Sequence, residues 1–233
     1  MDSYAGRACH AARKALNVDG VAIVVGGGIE SLWWVLESTG EQVRAIDDVQ
    51  FDLGAGPVPD VLCGSAQMCG AADLTSATGR YAIVDAAASR IGVSAVFAVA
   101  LALPLDVPVA LELSRATPGP LPDTTAALRH AHAVTLAIAN DTLAHLRDPG
   151  VTCARWPGTI AQSLAAPATA GPGRMHGRRR HVAAAVAEMT DRMSMSPLDS
   201  LSHLRARAFR GDRSLLTAAL DFLEDPSSPT GRH

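Results

Sequence analysis

The sequence predicts an α+β protein in two parts, with a domain of strands and helices followed by three C-terminal helices. Strand-like apolar runs lie between residues 21 and 114, and apolar residues recur at helical spacing across residues 178–223. Between these regions the chain is rich in Pro, Gly and Ala, which interrupt regular structure. With 233 residues, 48% hydrophobic and 18% charged, the chain can bury a core, so a disordered protein is excluded.

The first part is predicted to begin with a helix and a β-hairpin. Residues 3–16 place polar and small apolar residues at helical spacing. Residues 21–25 and 31–37 are strand-like and are joined by three glycines at 26–28. These glycines lack the Lys-Ser or Lys-Thr pair of a phosphate-binding loop, so we interpret them as a turn.

Further strands and helices follow in the first part. We predict a helix at 43–49, strands at 68–74, 94–103 and 108–114, a helix at 80–91, and a long helix at 122–146. Leu128, Ala131, Ile138 and Leu143 share one face of the long helix. This apolar face either covers the sheet of its own domain or pairs with a second copy of the chain.

Three short helices are predicted from Arg178 onward. Val182 and Met189 lie on one face of the first helix, and Ser196-Pro197 begins the second, with the serine as cap and the proline in the first turn. Further apolar stripes follow, made by Leu198, Leu201, Leu204 and Ala208, and by Leu215, Leu216, Ala219, Phe222 and Leu223. No stripe is long enough to form a stable helix alone, so the three are expected to pack as a bundle.

Arginine sets the C-terminal region apart in charge. Residues 174–233 contain ten Arg against seven Asp plus Glu, a net of +3. The remaining residues contain ten Lys plus Arg against sixteen acids, a net of −6, which together give the overall −3. A positive helical region in an acidic chain favours an anionic partner, and a solvated arginine-rich surface is the alternative.

The segment MSMSPLDSLSHLRARAF at residues 193–209 resembles the ANTAR domain, the RNA-binding module of transcription antitermination regulators. Ser196, Pro197, Leu201, Leu204, Arg205, Ala208 and Phe209 match the family pattern. The preceding helix departs from it, with Ala185-Val186-Ala187-Glu188 in place of Ala-(Ala/Lys)-Gly. The resemblance implies a dimer that binds two RNA hairpins. We expect the arginines that contact RNA to be Arg179, Arg180, Arg192, Arg205, Arg207 and Arg210.

The segment Leu53-Gly54-Ala55-Gly56-Pro57-Val58 resembles the Leu-Gly-Glu-Gly-Pro-Cys segment of GAF domains that accompany ANTAR domains in actinobacteria. Asp73-Leu74 and Gly92–Ala98 match further family segments. The resemblance implies an antiparallel sheet flanked by helices, with a sensory cavity lined by Phe51, Leu53, Pro57, Val61 and Phe97. Because Ala55 and Val58 replace Glu and Cys, we predict a less polar pocket whose ligand is apolar or absent.

Several functions are excluded by what the sequence lacks. Cys9, Cys63, Cys69 and Cys153 follow no metal-binding spacing, and no nucleophile and base pattern is visible, so we predict neither a metal, a cofactor nor an enzyme. No apolar run is long enough to span a membrane, and the first residues do not resemble a signal peptide. We therefore expect a cytoplasmic protein.

The predicted organisation is a GAF domain at 1–147, a linker at 148–173, an ANTAR bundle at 174–225 and a disordered tail at 226–233. The predicted function is a transcription regulator whose GAF domain senses a signal and whose ANTAR domain binds RNA hairpins. The alternative is a dimeric protein-interaction regulator whose bundle no longer binds RNA. DNA binding is disfavoured, because no helix combines Arg with Asn or Gln as base-reading helices do.

Overall fold

The computed structural model describes residues 3–26, 32–76, 79–102, 108–146 and 174–224. Residue contacts divide the chain into two compact units, Met1–Leu164 and Ala165–His233. The predicted linker and tail, Cys153 and the last two residues of the triple glycine lie outside the described residues.

The first unit is built on a five-stranded antiparallel sheet. Its strands are β1 (Gly20–Gly26), β2 (Trp33–Ser38), β3 (Met68–Ala71), β4 (Ala95–Leu101) and β5 (Val109–Arg115). They lie in the order β2-β1-β5-β4-β3, and each neighbouring pair is antiparallel. β1, β4 and β5 are buried on both faces, which explains their nearly continuous apolar sequences.

Helices cover both faces of this sheet. They are α1 (Tyr4–Ala15), α2 (Glu41–Leu53), α3 (Pro57–Leu62), α4 (Ala82–Ile91) and α5 (Thr124–Leu146). α1 and α5 pack together on one face, while α2 and α3 contact the other and α4 packs on α2. The α+β prediction for this unit is confirmed. Periodicity did not predict α3, because six residues with two prolines are too short to show a helical pattern.

Strand alternation sends neighbouring residues into two different cores. Ile23, Phe97 and Leu111 belong to the cluster covered by α1 and α5. Val96, the neighbour of Phe97, belongs instead to a cluster that includes Ile46 of α2. The two faces of the sheet therefore have separate environments.

The apolar face of α5 packs on its own sheet. Ala131, Val134 and Ile138 are buried in the cluster shared with α1 and the strands. Leu128 remains exposed, and the side chain of Leu143 lies outside the described residues. The first of the two interpretations of this face therefore holds for the three buried residues, while dimerisation stays a prediction.

The second unit contains three helices, α6 (Arg174–Met193), α7 (Pro197–Arg210) and α8 (Leu215–Glu224). Each contacts the other two. The Ser196 side chain accepts a hydrogen bond from the Asp199 N–H at 3.1 Å, and Pro197 occupies the first helical position, as predicted. Its core consists of Val182, Ala185, Val186, Met189, Leu201, Leu204, Ala208, Leu215, Ala218, Ala219 and Phe222.

Candidate functional site

A buried polar network joins α2, α3 and β5 in the first unit. The Gln50 amide nitrogen donates to Oε1 of Glu112 at 2.6 Å, and the Gln50 oxygen accepts from the Val58 N–H at 3.0 Å. Gln50 and Glu112 are both 0% exposed. Glu112 lies opposite Ala22 of β1 and Ala98 of β4, so two small side chains flank the carboxylate.

One turn earlier on α2, the buried carboxylate of Asp47 contacts the edge strand β2. The Trp33 indole N–H donates to Oδ1 of Asp47 at 2.8 Å. Phe51 packs edge-to-face against the same indole, with ring centroids 5.2 Å apart. Because Asp47, Gln50 and Phe51 share the inner face of α2, this helix links β2, α3 and β5 through specific contacts.

The predicted pocket residues do not all lie together. Phe51, Pro57 and Val61 are buried on α2 and α3, and Leu53 packs beside the cluster that contains Ile46. Phe97 is in the opposite cluster, because its side chain shares a face with Leu113 and that face is covered by α1 and α5. Phe97 is therefore removed from the predicted pocket, while ligand contact by the other four stays a prediction.

Polar side chains are nevertheless buried in this region, while the polarity of a ligand pocket stays a prediction. Asp47, Gln50 and Glu112 are fully buried there, although Ala55 and Val58 supply no polar side chain. The strand pattern carried a signal for Glu112, since a period of two places it on the same face as Ala110 and Ser114. Inward-facing acids in a buried strand are rarely tolerated without a partner.

Gly56 is required by the same network. Its φ is 138°, and a Cβ there would come within 2.6 Å of the Gln50 Cγ. We expect Gly56→Ala to destabilise the unit by about 2–4 kcal/mol in denaturant unfolding, from backbone strain plus overlap. Gly64→Ala is the control, because Gly64 also has positive φ but would meet nothing within 4 Å. Equal losses in the two variants would rule out a steric role for Gln50.

A second polar contact fixes the start of α4 on α3. The Tyr81 hydroxyl donates to Oδ2 of Asp60 at 2.6 Å, and Arg80 forms an ion pair with the same oxygen at 2.9 Å. Burial, followed by the hydrogen bond to Asp60, raises the pKa of the Tyr81 hydroxyl. Tyr81 therefore remains a neutral hydrogen-bond donor at physiological pH, which suits a structural role.

The exposed surface of α7 brings an aromatic ring together with arginines. Phe209 is 80% exposed and lies one turn after Arg205 on the same side of the helix. Arg207 and Arg210 lie on the other side. The small residues Ser202 and Ala206 form the exposed ridge between the two sides.

The six predicted RNA-contacting arginines differ in exposure. Arg180 and Arg210 are exposed, whereas Arg205 and Arg207 are half-buried. Arg192 is exposed but paired with Glu188. Nη1 of Arg207 is buried and has no hydrogen-bond partner among the described residues. The exposed members of the set are therefore Arg180 near the start of α6, Arg192 near its end and Arg210 at the end of α7.

Arg179 corrects the predicted set, because it is only 5% exposed. It lies three residues before Val182 and seven before Val186, so it belongs to the buried stripe of α6. A guanidinium in that position supports the fold of the unit and is not presented to phosphate.

The described segments contain neither a metal-binding cluster nor a membrane-spanning helix. No three His, Cys, Asp or Glu side chains there lie close enough to share a metal ion. Within the same segments, no helix has the length and apolarity needed to cross a membrane. Cys9, Cys63 and Cys69 are free thiols, and burial with nearby Glu37 raises the pKa of Cys9 to about 12, which makes it unreactive.

Comparisons with known proteins give only distant structural likeness. No protein-family profile matches the chain, and no curated protein matches it. Solved structures similar to it include GAF3 of Slr1393 from Synechocystis, with 14% identity, TM-score 0.45, and coverage of 61% of this chain and 96% of that one. The GAF domain/HD domain protein of Geobacter sulfurreducens has 14% identity, TM-score 0.45, and coverage of 64% and 98%.

A third similar structure spans nearly the whole chain. Escherichia coli SdiA has 13% identity and TM-score 0.42, with coverage of 96% of this chain and 91% of that one. TM-scores below 0.5 do not by themselves establish a shared fold. The architecture of this chain therefore stands on its own sheet order and helix placement.

Proposed function

We propose that this chain is a transcription regulator of the antiterminator type, in which the C-terminal unit binds structured RNA and the N-terminal unit senses a signal. The observation that carries the proposal is the pairing of Phe209, 80% exposed, with the arginines of α7. The ring of Phe209 is not packed within its own unit, so its faces are available to a partner. The resemblance of residues 193–209 to ANTAR domains supports RNA as that partner.

The geometry of α7 suits an RNA loop. An exposed aromatic ring can stack on an unpaired base, and neighbouring guanidinium groups can bind phosphates on either side. Ser202 and Ala206 lie between the two sides of α7 that carry the arginines. Because their side chains are small, the nucleic-acid backbone can approach the helix there. An RNA hairpin held in this way is unavailable to form a competing terminator.

The N-terminal unit is proposed to act as a GAF-type sensor and to support a homodimer. Gln50 bridges α3 and β5, so a small molecule that competes for its hydrogen bonds would shift α2 and α3 against the sheet. The buried carboxylate of Glu112 favours a ligand that carries a hydrogen-bond donor or a positive charge. This shift is the proposed input to the regulator.

Replacing Phe209 with Ala is expected to weaken RNA binding about 5- to 150-fold, since one stacked base contributes about 1–3 kcal/mol. Stability should change by less than about 0.5 kcal/mol, because the ring is exposed. Binding is measured by fluorescence anisotropy with a hairpin selected from a structured RNA pool of the encoding genome. Phe209→Tyr should retain binding.

The matched control is Ile83→Ala, which removes another exposed apolar side chain, 55% exposed, from α4 of the other unit. It should bind RNA as the unaltered protein does. If Phe209→Ala binds as tightly as the unaltered protein, base stacking at α7 is ruled out.

A protein-interaction regulator is the second candidate function, and the surface of α6 favours it. Arg178 and Arg180 are exposed near its start. Farther along, the exposed residues include Ala184, Ala187, Asp191 and Met193, and the exposed Arg192 is paired with Glu188. The basic surface therefore does not continue along the whole helix. Failure to enrich any RNA, together with a stable complex with another protein in pull-down, would establish this second function.

A further inference from the structure

Two thiols of the first unit lie beside the same short helix. Cys63 directly follows α3, and Cys69 lies in β3. The Cys63 Sγ donates to the carbonyl oxygen of Asp60 at 3.3 Å. The Cys69 Sγ donates to the carbonyl oxygen of Pro57, also at 3.3 Å. Because these carbonyls are three residues apart on α3, they are about 4.5 Å apart along the helix axis, and the two sulfurs are held at neighbouring positions.

The groups around Cys69 also place Cys63 nearby. The Tyr81 hydroxyl, which donates to Asp60, forms a hydrogen bond with Cys69 as well. Burial raises the pKa of the Cys69 thiol, the hydrogen bond with Tyr81 opposes this rise, and the charge of nearby Cys63 adds to it. Cys69 is therefore a protonated thiol at neutral pH with a second thiol close to it.

The two thiols differ in their access to solvent. Cys63 is exposed, as are Gly64 and Ser65 in the turn that follows, whereas Cys69 is half-buried. Ser65 Oγ lies 2.9 Å from the Cys63 sulfur, and a hydroxyl can donate to a thiolate. An oxidant dissolved in water therefore reaches Cys63 first. An exposed thiol beside a second, less accessible thiol is typical of oxidation-sensitive cysteine pairs.

The turn that joins the two cysteines has room to move. A Cβ built at Gly64 would meet nothing within 4 Å, so space is open beside the turn. The far end is anchored, because the carbonyl oxygen of Gln67 accepts from the Ala100 N–H at 2.8 Å. A disulfide requires Cα atoms about 4.4–6.8 Å apart, and movement of the exposed Cys63 end can provide that distance without disturbing the core.

We propose that Cys63 and Cys69 form a modification site for hydroperoxides, at which oxidation joins the end of α3 to β3 through a disulfide. The Cys63 thiolate attacks one oxygen of the peroxide, so an S–O bond forms, the O–O bond breaks, and the leaving oxygen takes up a proton. Cys69 then loses its proton and attacks the Cys63 sulfur, the S–O bond breaks, and the oxygen leaves as water. Overall, two thiols lose two electrons and two protons, and the hydroperoxide is reduced to water and an alcohol, or to two waters.

This site lies beyond the proposed RNA-binding function and does not depend on it. Cys9 is a poor partner for either thiol, because it is buried in the cluster on the α1 face, whereas Cys69 contacts α3 on the other face of the sheet. Thiol reductants reverse a disulfide, so the modification can be transient.

The test treats the reduced, full-length protein with a molar excess of hydrogen peroxide, alkylates the remaining thiols and maps the cysteines by mass spectrometry. We expect a link between Cys63 and Cys69 within one chain, which dithiothreitol reverses. In Cys69→Ala, oxidised Cys63 has no second thiol to react with, so sulfenic acid trapped there by dimedone should rise about tenfold or more. In Cys63→Ala, Cys69 should stay reduced under the same conditions, since burial keeps it protonated.

The matched control is Cys9→Ala, which removes a different thiol from the same unit and should form the link as the unaltered protein does. Circular dichroism melting checks that each variant remains folded. A link from Cys63 to Cys153 or to a second chain would overturn the inference. So would equal trapping of sulfenic acid with and without Cys69, or an unaltered protein that loses no thiols. These measurements contain no RNA, so their failure leaves the proposed function standing, and failure to bind RNA leaves this site standing.

Discussion

Replacing Gln50 with Ala is expected to lower the free energy of unfolding of the N-terminal unit by about 3–5 kcal/mol. The side chain supplies one hydrogen bond to the Glu112 carboxylate and one to the Val58 N–H, and it is wholly buried. Its removal leaves a cavity and takes a donor from a buried acid, so two costs add. Urea unfolding followed by circular dichroism and Trp fluorescence measures the loss.

Two comparisons isolate the network from general damage to α2. Gln42→Ala changes the same residue type at an exposed position of the same helix, and it should cost less than about 0.5 kcal/mol. Replacing both Gln50 and Glu112 with Leu removes donor and acceptor together, so it should cost less than Gln50→Ala. A Gln50→Ala variant as stable as Gln42→Ala would show that the network does not stabilise the unit.

The second large effect is expected from Leu204→Ala in α7. Leu204 is fully buried, and its truncation should cost about 2–5 kcal/mol. A unit of this size has a stability of roughly 3–9 kcal/mol, so the variant should be partly or fully unfolded at 37 °C. Because the arginines and Phe209 are positioned by the same helix, RNA binding should be lost with the fold.

Leu198→Ala provides the matched control, since Leu198 is on the same helix and 42% exposed. We expect a loss below about 1 kcal/mol and an unchanged thermal transition of the C-terminal unit. Differential scanning calorimetry of the full chain can follow the unit's transition. If Leu204→Ala melts at the same temperature as Leu198→Ala, the packing assigned to α7 is incorrect.

The sequence predicted the order of elements well, because each long element has a distinct apolar period. The strands at β1, β4 and β5 and the helices α5 to α8 differ from prediction mainly at their ends. It was harder to predict on which face of the sheet each side chain lies. Phe97 was grouped with Phe51, although the alternation of β4 places it with Leu113 on the α1 face.

The buried polar residues could not be predicted from motif resemblance. Gln50 and Glu112 are 62 residues apart, and only the tertiary fold brings them together. The burial of Arg179 could have been predicted from the sequence, because its helical spacing to Val182 and Val186 indicates an inward position. In a run of three arginines the shared charge is more evident than the helical period, although the period distinguishes buried Arg179 from exposed Arg178 and Arg180.

The central position of β5 beside β1 has a consequence for how the unit folds during synthesis. β1 pairs with β5 from Gly20 opposite Ser114 to Val25 opposite Val109, so the middle of the sheet joins two segments that are far apart in the sequence. Such distant pairing requires a long loop to close, which slows folding. Until β5 leaves the ribosome, one edge of the apolar strand β1 lacks its partner strand, and such an unpaired edge is prone to aggregation.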